Sequence, residues 1–175
     1  MRTVTALLFI VPGLVLAACS VDAPTSARLA PDQASTMKAS VASRAIKGNC
    51  SLKIVSTTPY PAPPVFRQVS EGTCELSPIG RTTVRFIQVV NFGNGTQHSL
   101  SLSYRAANGD LLQAASVGTS VPTPTGVNFS ATITFVGGTG RFASATGSAH
   151  ADGSANLASA TSWYRLDGSI SYDAP

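Results

Sequence analysis

Residues 127–147 read VNFSATITFVGGTGRFASATG, and this stretch decides the fold class. Val127, Phe129, Ala131, Ile133 and Phe135 alternate with Asn128, Ser130, Thr132 and Thr134. Side chains of an extended strand point alternately to its two faces, so a period of two describes a strand with one face in a core and one in water. The strand runs into Gly137-Gly138-Thr139-Gly140, where three glycines can take the positive φ that a reversal demands and a Cβ opposes. Beyond it, Phe142 and Ala145 have the spacing that places two side chains on one side of a helical turn, and Gly147 lets the next strand pack closely. The stretch predicts a strand, a sealed turn and a new strand, with Phe142 closing one end of a β-structure.

The same rhythm fills the region from Gly48 to Pro175, one domain's length. Candidate strands cover 50–56, 65–69, 82–90, 99–106, 111–118, 127–136, 147–152 and 162–172. Leu100, Leu102 and Tyr104 alternate with Ser99, Ser101 and Ser103; Tyr164, Leu166, Ile170 and Tyr172 share a face opposite Trp163, Arg165 and Asp167. Asn108-Gly109 and Asn94-Gly95 are turn signals between strands. Pro59, Pro61, Pro63 and Pro64 exclude a central strand across their own segment. No long segment carries a helical stripe, so the strands must bury their apolar faces in a barrel or a sandwich. Eight candidate strands suit either form. An immunoglobulin-type sandwich would set its cysteines farther apart with a core tryptophan between them, whereas the single tryptophan here is Trp163.

The run GGTGRF, with Ala145 and Gly147, resembles the GGTG-x-F-x-x-A-x-G signature of the allene oxide cyclase-like and dirigent-like barrels. The resemblance covers about ten residues closely and the later half of the chain by strand rhythm. This family resemblance, carried by the Gly-rich bend, is what implies a small antiparallel β-barrel of about eight strands, in which Gly137, Gly138, Gly140, Phe142 and Gly147 are residues of the fold. The cyclase's catalytic residues have no counterparts that can be placed here.

At the other end, Arg2 precedes an apolar run from Val4 to Val15, followed by Leu16-Ala17-Ala18-Cys19. A charged head, about a dozen apolar residues and small residues before a cut describe a secretory signal, too short to span a bilayer well. Leu-Ala-Ala-Cys resembles the bacterial lipobox, which implies cleavage after residue 18 and acylation of Cys19; an ordinary signal peptide is the plainer alternative. Acyl chains at about 0.8 kcal/mol per buried CH2 would anchor the protein to a membrane. Ser20 in place of an aspartate points to the outer membrane of a bacterial envelope. From residue 19 to residue 47 the composition turns to Ala, Ser, Thr and Pro, which reads as a flexible tether reaching on the order of 30 Å.

Of three cysteines, Cys50 and Cys74 remain in the exported domain, and oxidising surroundings favour a disulfide between them over two free thiols. Closing a loop of roughly 24 residues contributes about 3 kcal/mol on the chain-entropy account. The chain carries a formal net charge of +4. Most of the excess lies before residue 48, so the domain has no basic stripe, and no aromatics interleave with one; nucleic-acid binding is set aside.

Motifs of chemistry are few. Gly138-Thr139-Gly140-Arg141-Phe142-Ala143 fits a G-x-G-x-x-A fingerprint, but without a following helix in a βαβ unit it reads as a turn, and no cofactor is implied. His98 and His150 are the two histidines, and no cluster has zinc spacing, so no metal is expected. His150 and Asp152 share a strand face as a candidate acid–base pair, with two exposed polar residues the simpler reading. Arg85 and Arg165, if inward, need partners such as Glu75 or Asp167, or an anion; otherwise they cover a strand's outer face.

Two functions follow as expectations. One is a non-enzymatic, lipid-anchored envelope protein whose barrel holds a small apolar ligand or a partner, with Tyr104, Phe129 and Tyr164 lining the lumen. The other, implied by the family resemblance alone, is a cyclase or isomerase acting on a hydrophobic substrate. An open lumen with a buried, partnered Arg, Glu or His favours the enzyme; a lumen filled by its own side chains removes both ligand and substrate.

Overall fold

A computed structural model describes residues 42–173. The expected signal peptide, Cys19 and residues 20–41 of the expected tether lie outside the described residues. Eight strands follow in chain order: β1 (Ser43–Pro59), β2 (Val65–Ser77), β3 (Gly80–Asn91), β4 (Thr96–Ala106), β5 (Leu111–Thr123), β6 (Gly126–Gly138), β7 (Thr146–Asn156) and β8 (Thr161–Ser171). Each pairs antiparallel with the next, and β1 closes on β8, so the sheet is an eight-stranded up-and-down barrel. Closure matters physically, because it leaves no strand with unpaired N–H and C=O groups. The first strand begins at Ser43, inside the span read as tether, because Ile46 on its inner face is fully buried against the core.

All eight candidate strands are present; the first seven run longer than their apolar patterns alone indicated, and the eighth, expected over 162–172, is β8 at Thr161–Ser171. Pro61, Pro63 and Pro64 lie in the connection between β1 and β2, whereas Pro59, expected outside any strand, is the last residue of β1 and pairs with Phe66, where the ladder ends. Asn94-Gly95 and Asn108-Gly109 turn two hairpins, with φ of 73° at Gly95 and 91° at Gly109.

After β6 comes a 3-10 turn, η1 (Gly140–Phe142), which carries Phe142 fully buried into one end of the barrel, its ring centroid 5.1 Å from that of Tyr172. Gly140 has φ +54°, and a Cβ there would strike the carboxylate of Asp110. That carboxylate accepts the backbone N–H of Arg141 at 3.3 Å, and Thr139 Oγ1 accepts the N–H of Leu111 at 2.9 Å, clipping the plug to the β4–β5 hairpin. Gly138 differs from the sequence reading: its φ is not positive, it stays in the ladder opposite Leu112, and a Cβ there would overlap the Leu111 carbonyl oxygen. Gly137 and Gly140 supply the positive φ in this bend, and Gly147 another at the start of β7.

Inside, large side chains from β4 and β8 (Tyr104, Tyr164, Leu166, Ile170) are accommodated by small ones from β7 (Ala149, Ala151, Gly153). Cys50 and Cys74 stand directly opposite one another on β1 and β2 and are joined by a disulfide. Alternation is not strict everywhere, and β3 and β4 show it most clearly. Ser101 pairs with Ile87 and Ser99 with Gln88, leaving Leu100 as an unpaired extra residue. This bulge inverts the alternation, so Gln97 points inward and Leu100, expected inside, is 47% exposed. From Ile87 to Val90, β3 is buried on both faces rather than one. Every ladder, the disulfide and the whole core cluster fall within residues 43–172, so residues 39–175, which form one compact unit, contain all the contacts of the barrel.

Candidate functional site

The two ends of the barrel differ in chemistry. The end that holds η1 is filled by apolar side chains, packed with Ile46, Leu76, Leu112, Phe135, Phe142 and Ile170. Toward the opposite mouth, where the β1–β2, β3–β4, β5–β6 and β7–β8 connections lie, neutral polar side chains enter the lumen. Gln68 and Ser70 come from β2, Gln88 from β3 and Gln97 from β4, all of them more than nine-tenths buried. With Phe86, Phe129 and Tyr164 they line a cavity of about 30 Å³. Roughly 10–15 Å³ admits one water, so this is space for about two. A pocket for a whole drug-sized ligand is typically an order of magnitude larger. Most of the lumen is therefore occupied by the protein's own side chains, and the mouth retains a small polar hollow.

The glutamines form a chain. Gln88 Nε2 donates to Gln68 Oε1 at 2.9 Å, and Gln68 Nε2 reaches Thr57 Oγ1 at 3.5 Å. Gln88 Oε1 accepts no hydrogen bond, although it is buried. A buried acceptor left in that state costs about 1–3 kcal/mol relative to one satisfied by water or protein. Natural cores avoid such groups unless something else fills the need.

Behind the cavity, the hydroxyls of Tyr164 and Tyr104 lie 3.1 Å apart, with Cys74 Sγ 3.8 Å from Tyr164 Oη. Burial pushes the Tyr104 phenol far above its ordinary range, the bond from Tyr164 offsetting only part of the shift. Burial also raises Tyr164, and the neighbouring Tyr104 raises it further. Both are neutral phenols at any pH near neutrality.

Of the residues expected to line the lumen, Phe129 and Tyr164 line the cavity and meet edge to face with centroids 6.5 Å apart. Tyr104 does not reach it; it lies behind Tyr164, fully buried. Gly137, Gly138, Gly140, Phe142 and Gly147 are at the sealed end and take no part in the cavity.

The other candidates lie on the outer wall. His150 Nε2 is 3.2 Å from Ser130 Oγ and 3.0 Å from Asp152 Oδ2. A serine triad needs the base to use its two different ring nitrogens for serine and carboxylate; here one nitrogen faces both, on an exposed surface. Arg85 and Arg165 point outward. Arg85 pairs with Glu71 at 3.0 Å rather than with Glu75, which faces Arg81 at 3.6 Å, and Asp167 faces Lys47 at 3.3 Å. Such exposed pairs contribute little to stability. Among the described residues, no group of three or more His, Cys, Asp or Glu side chains is placed to hold a metal ion.

Gln68, Ser70, Gln88 and Gln97 escaped the sequence reading. The available signal was polar residues inside the apolar runs VFRQVS and RFIQVV, but with apolar neighbours on both faces of β3 the inward face could not be chosen. No family model matches the chain, and no curated protein and no solved structure is significantly similar to it.

Proposed function

We propose that this protein is a non-enzymatic binding module, exported and held to the bacterial envelope by lipid on Cys19, which takes up a small neutral molecule at the open mouth of its barrel. The observation that carries the binding half is the small cavity at the mouth, lined by the buried amides of Gln68, Gln88 and Gln97 in an otherwise packed barrel. Neutral lining matters too. Tyr164 is the one ionisable side chain in it, and burial holds that phenol protonated. An acid–base isomerase needs a group that gains and loses a proton near neutral pH, which weighs against the cyclase-like alternative suggested by the GGTGRF resemblance.

Support for the anchoring half comes from the leader and the Leu-Ala-Ala-Cys sequence, and the disulfide agrees with an oxidising compartment. The test has two parts. The mature chain is expected to carry an acylated N-terminal cysteine by mass spectrometry, and Cys19→Ala is expected to move it from the membrane fraction to the soluble one. Native mass spectrometry of the chain extracted from its own cells is expected to show a bound small molecule that Gln88→Met removes. An unmodified Cys19 on a protein still in the membrane would end the anchoring proposal, and a ligand retained by Gln88→Met would end the binding one.

A further inference from the structure

We propose that the mouth end of the barrel is a lipid-facing surface, whose hairpin tips enter the interface of a bilayer. Charge is segregated along the barrel. The segments that form the four mouth hairpins, residues 54–70, 86–104, 111–140 and 153–164, contain a single Asp, Glu, Lys or Arg, which is Arg67. The plugged end carries Arg44, Arg81, Arg105, Asp110, Arg141 and Asp173. Aromatic rings occur at both ends, but only the plugged end covers them. There Phe142 and Tyr172 are buried, with the Arg141 guanidinium 4.7 Å from the Phe142 centroid and that of Arg44 5.1 Å from the Tyr172 centroid. At the mouth, Tyr60-Pro61-Ala62-Pro63-Pro64 is exposed throughout, and Val55, Val121 and Leu157 stand out from three other segments, with exposures from 44% at Leu157 to 67% at Val121. Apolar side chains exposed singly need no explanation, whereas several gathered at one uncharged end mark a contact surface.

The tips also satisfy their own backbone. Tyr60 N–H donates to the Val65 carbonyl at 2.9 Å, Phe92 N–H to that of Pro64 at 3.0 Å and Leu157 N–H to that of Thr125 at 2.9 Å. The side chains of Asn91 and Asn94 accept the N–H groups of Gly93 and Thr96. Pro61, Pro63, Pro64 and Pro124 have no N–H to strand. A donor already bonded within the protein loses little when water leaves, which is the condition for entering a bilayer interface. Tyr60, an apolar ring with a polar tip, suits the headgroup level, and Arg67 without a carboxylate beside it adds a weak attraction to lipid phosphate. The choice of a bilayer as occupant rests on the proposed acylation of Cys19. Ser43 follows Cys19 by 24 positions, and extended chain of that length covers about 80 Å. A 13-residue strand tilted by about 40° rises roughly 30 Å, so the mouth can turn back to the anchoring membrane although β1 starts at the plugged end.

Residues 39–175, the compact unit without Cys19, separate the surface from the anchor. Val121→Cys and Leu157→Cys at the mouth, and Val136→Cys at the plugged end with its valine 58% exposed, are each labelled with an environment-sensitive fluorophore. The Cys50–Cys74 disulfide leaves the introduced thiol as the one that reacts. On titration with phosphatidylcholine vesicles, the labels at positions 121 and 157 are expected to shift to the blue and saturate, while the label at 136 keeps its spectrum in water. Salt at about 0.5 M is expected to leave the titration unchanged, because apolar burial is not screened. Leu157→Ser in the chain labelled at 121 is expected to weaken vesicle binding about tenfold. Equal shifts at all three positions would overturn the proposal, as would binding that needs anionic lipid and is lost in salt. A shift that follows protein concentration without vesicles would give the mouth to a second copy instead. Vesicle binding by the fragment alongside an unmodified Cys19 in cells would uphold the mouth and remove only the anchor; no vesicle binding alongside an acylated Cys19 would do the reverse.

Discussion

Changing Tyr164 to phenylalanine removes one hydroxyl and leaves another, on Tyr104, fully buried with its partner 3.1 Å away deleted. The net worth of the bond is modest, but stranding a buried hydroxyl costs about 1–3 kcal/mol. We expect Tyr164→Phe to lose about 2 kcal/mol, which for a barrel of this size lowers Tm by about 8 °C. Tyr104→Phe should cost less, because Tyr164 can still turn its hydroxyl toward Cys74 Sγ, 3.8 Å away. Removing both hydroxyls leaves two phenyl rings of nearly unchanged shape and no stranded donor, so the double variant should be less destabilised than Tyr164→Phe alone, by about 1 kcal/mol or more. Urea unfolding of residues 39–175 with the disulfide intact, followed by Trp163 fluorescence and far-UV circular dichroism, measures all four corners of the cycle. Additive costs, with the double variant losing the sum of the two singles, would show that the hydroxyls do not depend on each other and that the pair is not closed off from water.

Three further outcomes are expected. Because folding raises the Tyr104 and Tyr164 phenols above the ordinary value near 10, stability should be flat below pH 10 and fall above it, as the unfolded chain releases protons that the folded chain holds. The slope should approach about 2.7 kcal/mol per pH unit for two groups, read from urea midpoints between pH 8 and 11.5, and the double phenylalanine variant should flatten it. Replacing Cys50 and Cys74 by alanine opens a loop with a sequence separation of 24 and should cost about 3 kcal/mol in the same urea assay, with the spectrum of the folded barrel retained. Phe142→Ala empties the fully buried plug and should cost about 3–5 kcal/mol, with faster amide deuterium exchange at Leu112 and Ile170 marking a loosened sealed end.

How much of this was legible beforehand follows from the range of the forces involved. Alternation such as Val127 to Phe135 is local, set by where consecutive Cβ atoms point, and it marked all eight strands. Paired turn residues and the Gly-rich bend are equally local, and they located hairpins and the Phe142 plug. The site was not legible, because it depends on which face of β3 turns inward. An apolar residue on each side of Gln88 lets either face be the core, and the choice is made by pairing with β2 and β4. The bulge at Leu100 could not be read for the same reason: the extra residue exists only relative to a partner strand.

By itself, then, the sequence determined an all-β domain with one apolar face per strand, a reversal sealed by glycines, and an apolar N-terminal run followed by Leu-Ala-Ala-Cys. Only the tertiary structure decided that the sheet closes on itself and that three glutamines from three strands share the end opposite the Phe142 plug. The physical reason is distance in the chain: a side chain's direction is set by its neighbours in sequence, whereas its company is set by the register of strands that meet only when the barrel closes.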